Sequence, residues 1–354
     1  MDQERVFTQA DSAWLGQGPD SDVVVSTRIR LARNLTDLPF PLLAGSEELG
    51  QVLARVRQAS EHLPEAKRYG IMELDRLSSL ERQVLIEKHL VSLEHVQEPK
   101  QRALVLRDDE AVSIMINEED HIRLQVLLPG LNLDQAWHLA DRLDDSLEQH
   151  LDYAFDDDLG FLTACPTNLG SGLRASVMLH LPALVLLKQA SQVFGTLAQF
   201  GLVVRGLYGE GTQALGNFFQ ISNQLTLNHS EEELINNLKA LTGQVIEQER
   251  AARSRLYEEL GNRLLDMVWR AYGILTHARL LTGDEAMRLL SDVRLGVNLN
   301  LLPQINLPEL NRLLVITRSG FIQRVVGDTL SPAERDLKRA ALVRDELSKN
   351  NNSN

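Results

Sequence analysis

Apolar and polar positions along this chain change rhythm several times, and each change marks an element. From Ser26 the stretch DVVVSTRIRLAR (22–33) alternates strictly and predicts a strand, because successive strand side chains point to opposite faces. Segments 46–62 and 78–95 carry helical spacing, the second opening on Ser78 and Glu81 at capping-box distance. Residues 103–116 and 121–128 predict two strands with NEED (117–120) near their junction, and 133–152 predicts a helix. A Gly/Pro/Asn-rich loop at 165–172, a mixed apolar stretch to 207 and a strand-like FFQISNQLTL (218–227) follow. Beyond residue 230 only helical patterns remain, with starts at Ser230/Glu233, Thr282/Glu285 and Ser331-Pro332-Ala333-Glu334. The expected fold class is α+β, an antiparallel sheet flanked by helices, followed near residue 250 by an all-helical domain.

Composition narrows the classes. The chain has 354 residues, enough for two domains, and is 44% hydrophobic and 24% charged. Its longest apolar run, LPALVLLK (181–188), is too short for a bilayer, and the polar N-terminus does not read as a secretory signal. A single cysteine, Cys165, excludes an internal disulfide and suits a reducing, cytoplasmic setting. A net charge of −13 argues against a nucleic-acid surface but leaves room for a local arginine cluster.

Several stretches carry candidate chemistry. Extending the alternation back from 121–128 puts Glu119, His121, Arg123 and Gln125 on one face, with Glu119 and Arg123 roughly 13 Å apart. That row could hold a general base and an anion grip, or be a solvated sheet face; Glu118 and Asp120 would only order the turn or tune charge. Arg28 and Arg30 also share a face, about 7 Å apart, and suit a polyphosphate as well as they suit a protected edge strand. CPTNLGSGLRAS (165–176) joins Cys165 to a Gly-rich loop and Arg174, while VRGLYGEG (204–211) places Arg205 and Glu210 among glycines. GSGLRA is not a dinucleotide turn, since no βαβ unit surrounds it. The motifs G-x-x-x-x-G-K-[ST], H-R-D with D-F-G, and H-E-x-x-H are all missing, which excludes the familiar ATP and zinc enzymes.

In order, STRIRLARN, NEEDHIRL, CPTNLGSGLRASV and RGLYGE resemble the catalytic domain of the phosphagen (guanidino) kinases over 22–250. The whole layout is similar to the bacterial McsB-type protein arginine kinases, which carry R-D-x-x-R-A in a helical C-terminal domain; here it reads Arg335-Asp336-Leu337-Lys338-Arg339-Ala340. The resemblance implies an extension at 1–21, a catalytic domain at 22–250, a helical domain at 251–347 and a disordered tail at 348–354. It implies Glu119 as catalytic base, with Glu210 and Cys165 also on the guanidinium. It implies ATP contacts from Ser26, Thr27, Arg28, Ile29, Arg30, His89, Arg123, Arg174, Ala175, Ser176, Val177, Met178, Arg205, Gly206, Leu207, Tyr208 and Gly209. Mg²⁺ would ride on ATP, with no protein metal site.

By the same resemblance, Arg335–Ala340 would bind phosphoarginine as an activator. Taken by themselves, those residues would equally suit a surface ion pair between Asp336 and Arg339. Further implications are protein substrates marked for a Clp protease under stress, a zinc-containing activator protein and a homodimer. Tyr208 and Gly211 stand where free-arginine kinases place bulkier or basic groups, which agrees with an open acceptor site. The alternatives are a kinase for free arginine or another small guanidine, and an idle phosphoarginine-binding adaptor.

Overall fold

The structure is a computed structural model that describes residues 2–206 and 214–348. Ten strands are placed: β1 (Val24–Arg33), β2 (Tyr69–Glu73), β3 (Ala103–Arg107), β4 (Val112–Ile116), β5 (Ile122–Pro129), β6 (Phe155–Asp156), β7 (Gly160–Phe161), β8 (Leu173–His180), β9 (Leu202–Gly206) and β10 (Phe218–Asn223). All but the small β6–β7 hairpin join one antiparallel sheet in the order β2-β3-β4-β5-β1-β8-β10-β9. Helices before the sheet closes are α1 (Gln3–Thr8), α2 (Ser46–Ser60), α3 (Ser79–Glu87), α4 (Leu93–Gln97), α5 (Leu133–Glu148), α6 (Pro182–Leu186) and α7 (Ala190–Gln199). After it come α8 (Glu231–Leu260), α9 (Asn262–His277), α10 (Gly283–Asn298), α11 (Leu307–Ile316), α12 (Ser319–Val326) and α13 (Pro332–Ser348). The α+β class with a helical C-terminal part is what the patterning predicts.

One face of the sheet is the core. Ile29, Leu31, Leu124, Val126, Ala175 and Val177 are fully buried, and α5 packs over β1 and β5. That helix buries Leu133, Ala136, Ala140, Leu143 and Leu147, an i, i+3, i+7 stripe that a helix presents on one side. Fully burying such a leucine contributes about 1.5–3 kcal/mol.

Two expectations give way to local physics. The single strand expected over 103–116 is a hairpin, because Asp108-Asp109-Glu110 turns the chain: Glu110 takes a positive φ and Asp109 caps the Ala111 amide. The helix expected over 78–95 stops at Glu87, since His89 adopts φ +60°, and resumes as α4 behind a Ser92 cap. The domain boundary expected near 250 falls inside α8, which runs unbroken to Gly261. The N-terminal extension is also no loose arm: Trp14 is fully buried and Asn311 of α11 donates to the Leu15 carbonyl.

Candidate active site

The other face of the sheet lines the site, and strand register explains how. Arg30 of β1 stands opposite Gln125 of β5 and Arg174 of β8, and paired residues of antiparallel strands share a face. The same register sets Arg28 beside Ser176, Arg123 beside Ala32, and Arg205 beside Gln220. Five arginines predicted from four separate motifs thus converge on one cleft of about 700 Å³, joined by Arg102, which the sequence did not flag. Six arginines face three glutamates there, Glu94, Glu118 and Glu119, inside a chain that is acidic as a whole.

Arg28 and Arg30 form no ion pair among the described residues. Arg28 donates to the Gln220 amide oxygen at 2.5 Å and its guanidinium is pushed down to about 10, by burial first and then by Arg123 and Arg174. Arg30 is depressed further, by burial and by Arg28, Arg123 and Arg174. The Nε atoms of Arg30 and Arg174 are buried with no hydrogen-bond partner among the described residues. A buried donor left unmet costs about 1–3 kcal/mol, more when charged. The cleft therefore fits a polyanion whose oxygens would supply the missing acceptors.

The acids stand at one end. NEED is a turn between β4 and β5, and the three carboxylates take different parts. Glu118 is buried and accepts from Arg123 (2.7 Å) and the Ser92 hydroxyl (2.6 Å). It therefore holds Arg123 at the cleft wall, a larger part than ordering a turn. Glu119 is the exposed one and projects into the cleft; its pKa is raised, chiefly by desolvation and then by Asp120 and Glu118. Asp120 is buried, and its Oδ1 accepts from Asn34 Nδ2 (2.6 Å) and the Ala164 amide (2.7 Å). That second bond moors the loop carrying Cys165 to the same turn, and Thr163 donates to the Cys165 carbonyl. Arg174 feels both Cys165 and Glu119 as neighbours that raise its pKa, against the lowering by burial, Arg205 and Arg123.

His121 does not join the expected polar row. It is fully buried, with Nδ1 accepting from the Leu35 amide and Nε2 donating to the Pro39 carbonyl. The two-residue alternation starts only at Ile122, where the strand itself starts.

The remaining residues expected at the nucleotide divide by face. Ser26, Arg28, Ser176, Met178 and Gln220 converge with His89, which is held neutral: burial, then Arg28 and Arg318, lower its pKa to about 3. Thr27, Ile29, Ala175 and Val177 point the other way, into the core, leaving only their backbone on the cleft side. Gly206 lines the cleft, whereas Leu207, Tyr208, Gly209, Glu210 and Gly211 lie outside the described residues. No group of three or more His, Cys, Asp or Glu is placed to hold a metal among the described residues. Asn34 and Ser92 were missed by the sequence reading; Ser92 is an ordinary helix cap whose hydroxyl also reaches Glu118, and Asn34 follows the end of β1, so neither carries a chemical signature of its own.

In the C-terminal part, Arg335–Ala340 occupies the first turns of α13. Arg339 is buried and donates to the carbonyls of Thr317 (2.7 Å) and Leu281 (2.8 Å) and to Asp336 (2.5 Å). The pair thus lies at the edge of the core, with Arg339 interior and Asp336 partly exposed. Arg335 is partly exposed beside it, and Leu337 and Lys338 face outward.

Comparison with known proteins agrees with this geometry. The family described as ATP:guanido phosphotransferase, C-terminal catalytic domain, matches residues 51–252, and the protein-arginine kinase McsB C-terminal domain matches 261–354. A protein-arginine kinase of Desulforamulus reducens is 51% identical over 98% of both chains. That of Symbiobacterium thermophilum is 51% identical over 98% of this chain and 100% of its own. Among solved structures, a lombricine kinase aligns with TM-score 0.59 and 26% identity, covering 70% of this chain and 71% of that one. The chain belongs to the ATP:guanido phosphotransferase family, joined to the C-terminal domain of its protein-arginine-kinase branch, and it is a kinase.

Proposed function

We propose that this enzyme transfers the γ-phosphoryl group of ATP to the guanidinium of arginine residues in proteins. One observation carries the reading: arginines 28, 30 and 174, which form no ion pair among the described residues, share a sheet face with an exposed carboxylate, Glu119, at its end. A guanidinium is a poor nucleophile because it stays protonated in water. Glu119 would accept one N–H proton as that nitrogen forms its bond to the γ-phosphorus, while the bond from phosphorus to the β,γ-bridging oxygen breaks and ADP departs. A raised pKa, caused first by desolvation, makes this carboxylate a stronger base than a free one. Arg28, Arg30, Arg123, Arg174 and Arg205 would neutralise the phosphates, the main task in phosphoryl transfer. Mg²⁺ would supply further charge stabilisation on phosphate oxygens, held by ATP and water. Cys165, moored through Asp120, would contact the acceptor nitrogen from the opposite side, and Glu210 is proposed as the second carboxylate.

The acceptor is assigned from full-length similarity to protein-arginine kinases. Incubation with ATP, free arginine and a casein-like protein should yield a ³¹P phosphoramidate signal on protein only, in non-acidic buffer because N–P bonds hydrolyse in acid. A signal on free arginine would overturn the assignment. Glu119→Gln should lower kcat by about 10²–10⁴-fold; an undiminished rate removes Glu119 from the chemistry. The reading extends, on resemblance, to a homodimer that marks cytoplasmic proteins for a Clp protease with a zinc-containing activator. It also extends to phosphoarginine binding at Arg335 and Asp336, where the guanidinium suits phosphate and the carboxylate suits a guanidinium. Arg335→Ala should then abolish any stimulation by added phosphoarginine; persisting stimulation would place that pocket elsewhere.

A further inference from the structure

At the end of α3 three consecutive residues, Glu87-Lys88-His89, each have a separate job, and the first of them meets the C-terminal helices. Lys88 is buried and donates to the carbonyls of Val6 and Gln9 (both 2.9 Å) and to Glu110 (2.6 Å), pinning the N-terminal segment. His89 faces the nucleotide side of the cleft, with its ring edge-on to Trp14 at 5.4 Å and its carbonyl accepting from Gln125. Glu87, which ends α3, accepts the first free amides of α12, those of Gly320 (2.9 Å) and Phe321 (2.8 Å).

A carboxylate on two amides at the positive end of a helix makes a stiff, directional joint. Its fit is tight: a Cβ on Gly320 would stand 2.9 Å from both Glu87 oxygens and 2.7 Å from Gln83 Cγ. The far side of this joint leads to α13. Arg339 donates to the Thr317 carbonyl and reaches the Ser319 hydroxyl at 3.4 Å, so Thr317–Ser319 separates its grip from that of Glu87. Arg318, between them, is near enough for its charge to act on both Glu87 and His89. On the near side, the left-handed turn at His89 leaves no flexible linker before the cleft.

We propose that Glu87 is a positioning residue of the nucleotide site: it clamps α12 to the turn that bears His89, so the C-terminal helices set the ATP cradle and motion at Arg335–Ala340 is passed to it. The second half rests on the phosphoarginine reading above; the first half does not.

Two variants of the full chain test it, one from each side of the joint. Glu87→Gln and Gly320→Ala should each raise KM for ATP about tenfold, the scale of one lost charge-assisted bond, and leave KM for a casein-like acceptor unchanged. Unaltered KM for ATP in both variants overturns the proposal. So does an equal decline for ATP and acceptor, which marks mere loss of folded enzyme. If Glu87→Gln does not fold, Gly320→Ala decides alone. For the relay, Glu87→Gln should bind phosphoarginine by calorimetry with wild-type affinity yet lose its stimulation. Full stimulation in that variant sinks the relay while leaving the phosphoarginine pocket standing. A wild type that phosphoarginine does not stimulate removes the pocket reading, and the KM for ATP then judges Glu87 by itself.

Discussion

Arginines in this protein fall into two groups that composition cannot separate. At the cleft, Arg28 and Arg30 are desolvated by burial and repelled by Arg123 and Arg174, with no ion-pair partner among the described residues. Three residues further along β1, on the opposite face, Arg33 is bonded to Asp144 (2.7 Å) and to the carbonyls of Ala32 and Ser171, and it stacks on Phe161 at 3.5 Å. Arg339 is equally saturated in the helical part. Arg33 and Arg339 are the more deeply buried, and they are also the satisfied ones. In these two groups, the cation with a complete set of acceptors belongs to the scaffold, whereas the one left short lines the cleft, where an anion from outside can reach it.

The sharpest way to break this comparison is to remove the charge at one position of each kind. Arg30→Met should cut kcat/KM for ATP by about 10²–10³-fold, the loss seen when one preorganised donor is removed from a transition state. Its melting temperature should hold or rise, because an unpaired buried cation is being replaced by apolar volume. Arg339→Met should do the reverse, losing about 3–5 kcal/mol of stability as Asp336 and two carbonyls are orphaned. Chemical denaturation and steady-state kinetics on both variants decide it. A destabilised Arg30→Met with wild-type ATP kinetics would show that the grouping is wrong.

Much of the cleft is legible in the sequence, because alternation in STRIRLAR and in IRLQV needs only the two-residue period of a strand. What stays hidden depends on where the period begins. His121 follows the acids in sequence but precedes the strand, so it turns under the Pro39 carbonyl instead of joining Arg123. The hairpin at 108–111 is concealed by the apolar runs on either side, which read as one strand unless Asp109 is recognised as a turn cap. Register is the other missing quantity. Nothing in the chain says that Arg30 will lie between Gln125 and Arg174, residues about a hundred positions or more away, and that adjacency makes the cradle.

A smaller effect probes the acid end. Asp120 holds the Cys165 loop with one oxygen, Oδ1, which an asparagine retains. Asp120→Ala should therefore lower kcat about tenfold, as each lost bond to a charged acceptor contributes about 1.5–3 kcal/mol, only part of it expressed in loop placement. Asp120→Asn should keep kcat near wild type at neutral pH. If the alanine variant matches wild type, the mooring has no bearing on transfer.

The asparagine variant leads to the finest distinction, between the geometry and the charge of the same residue. Glu119 must be ionised to accept a proton, so kcat/KM falls as pH drops through its pKa, which lies above the ordinary glutamate value. Desolvation is the first cause of that elevation and the negative charge of Asp120 the second. Asp120→Asn leaves the desolvation in place and removes the charge. Glu119 should then lose its proton more readily, and the acid limb of the kcat/KM profile should move to lower pH without flattening. His89 does not confuse the measurement, since its pKa of about 3 keeps it neutral across that limb. Initial rates of ADP release read the limb without depending on the acid-labile product. A limb that stays in place under Asp120→Asn would mean that burial alone tunes the base; one that moves to higher pH would mean that the titrating group is not Glu119.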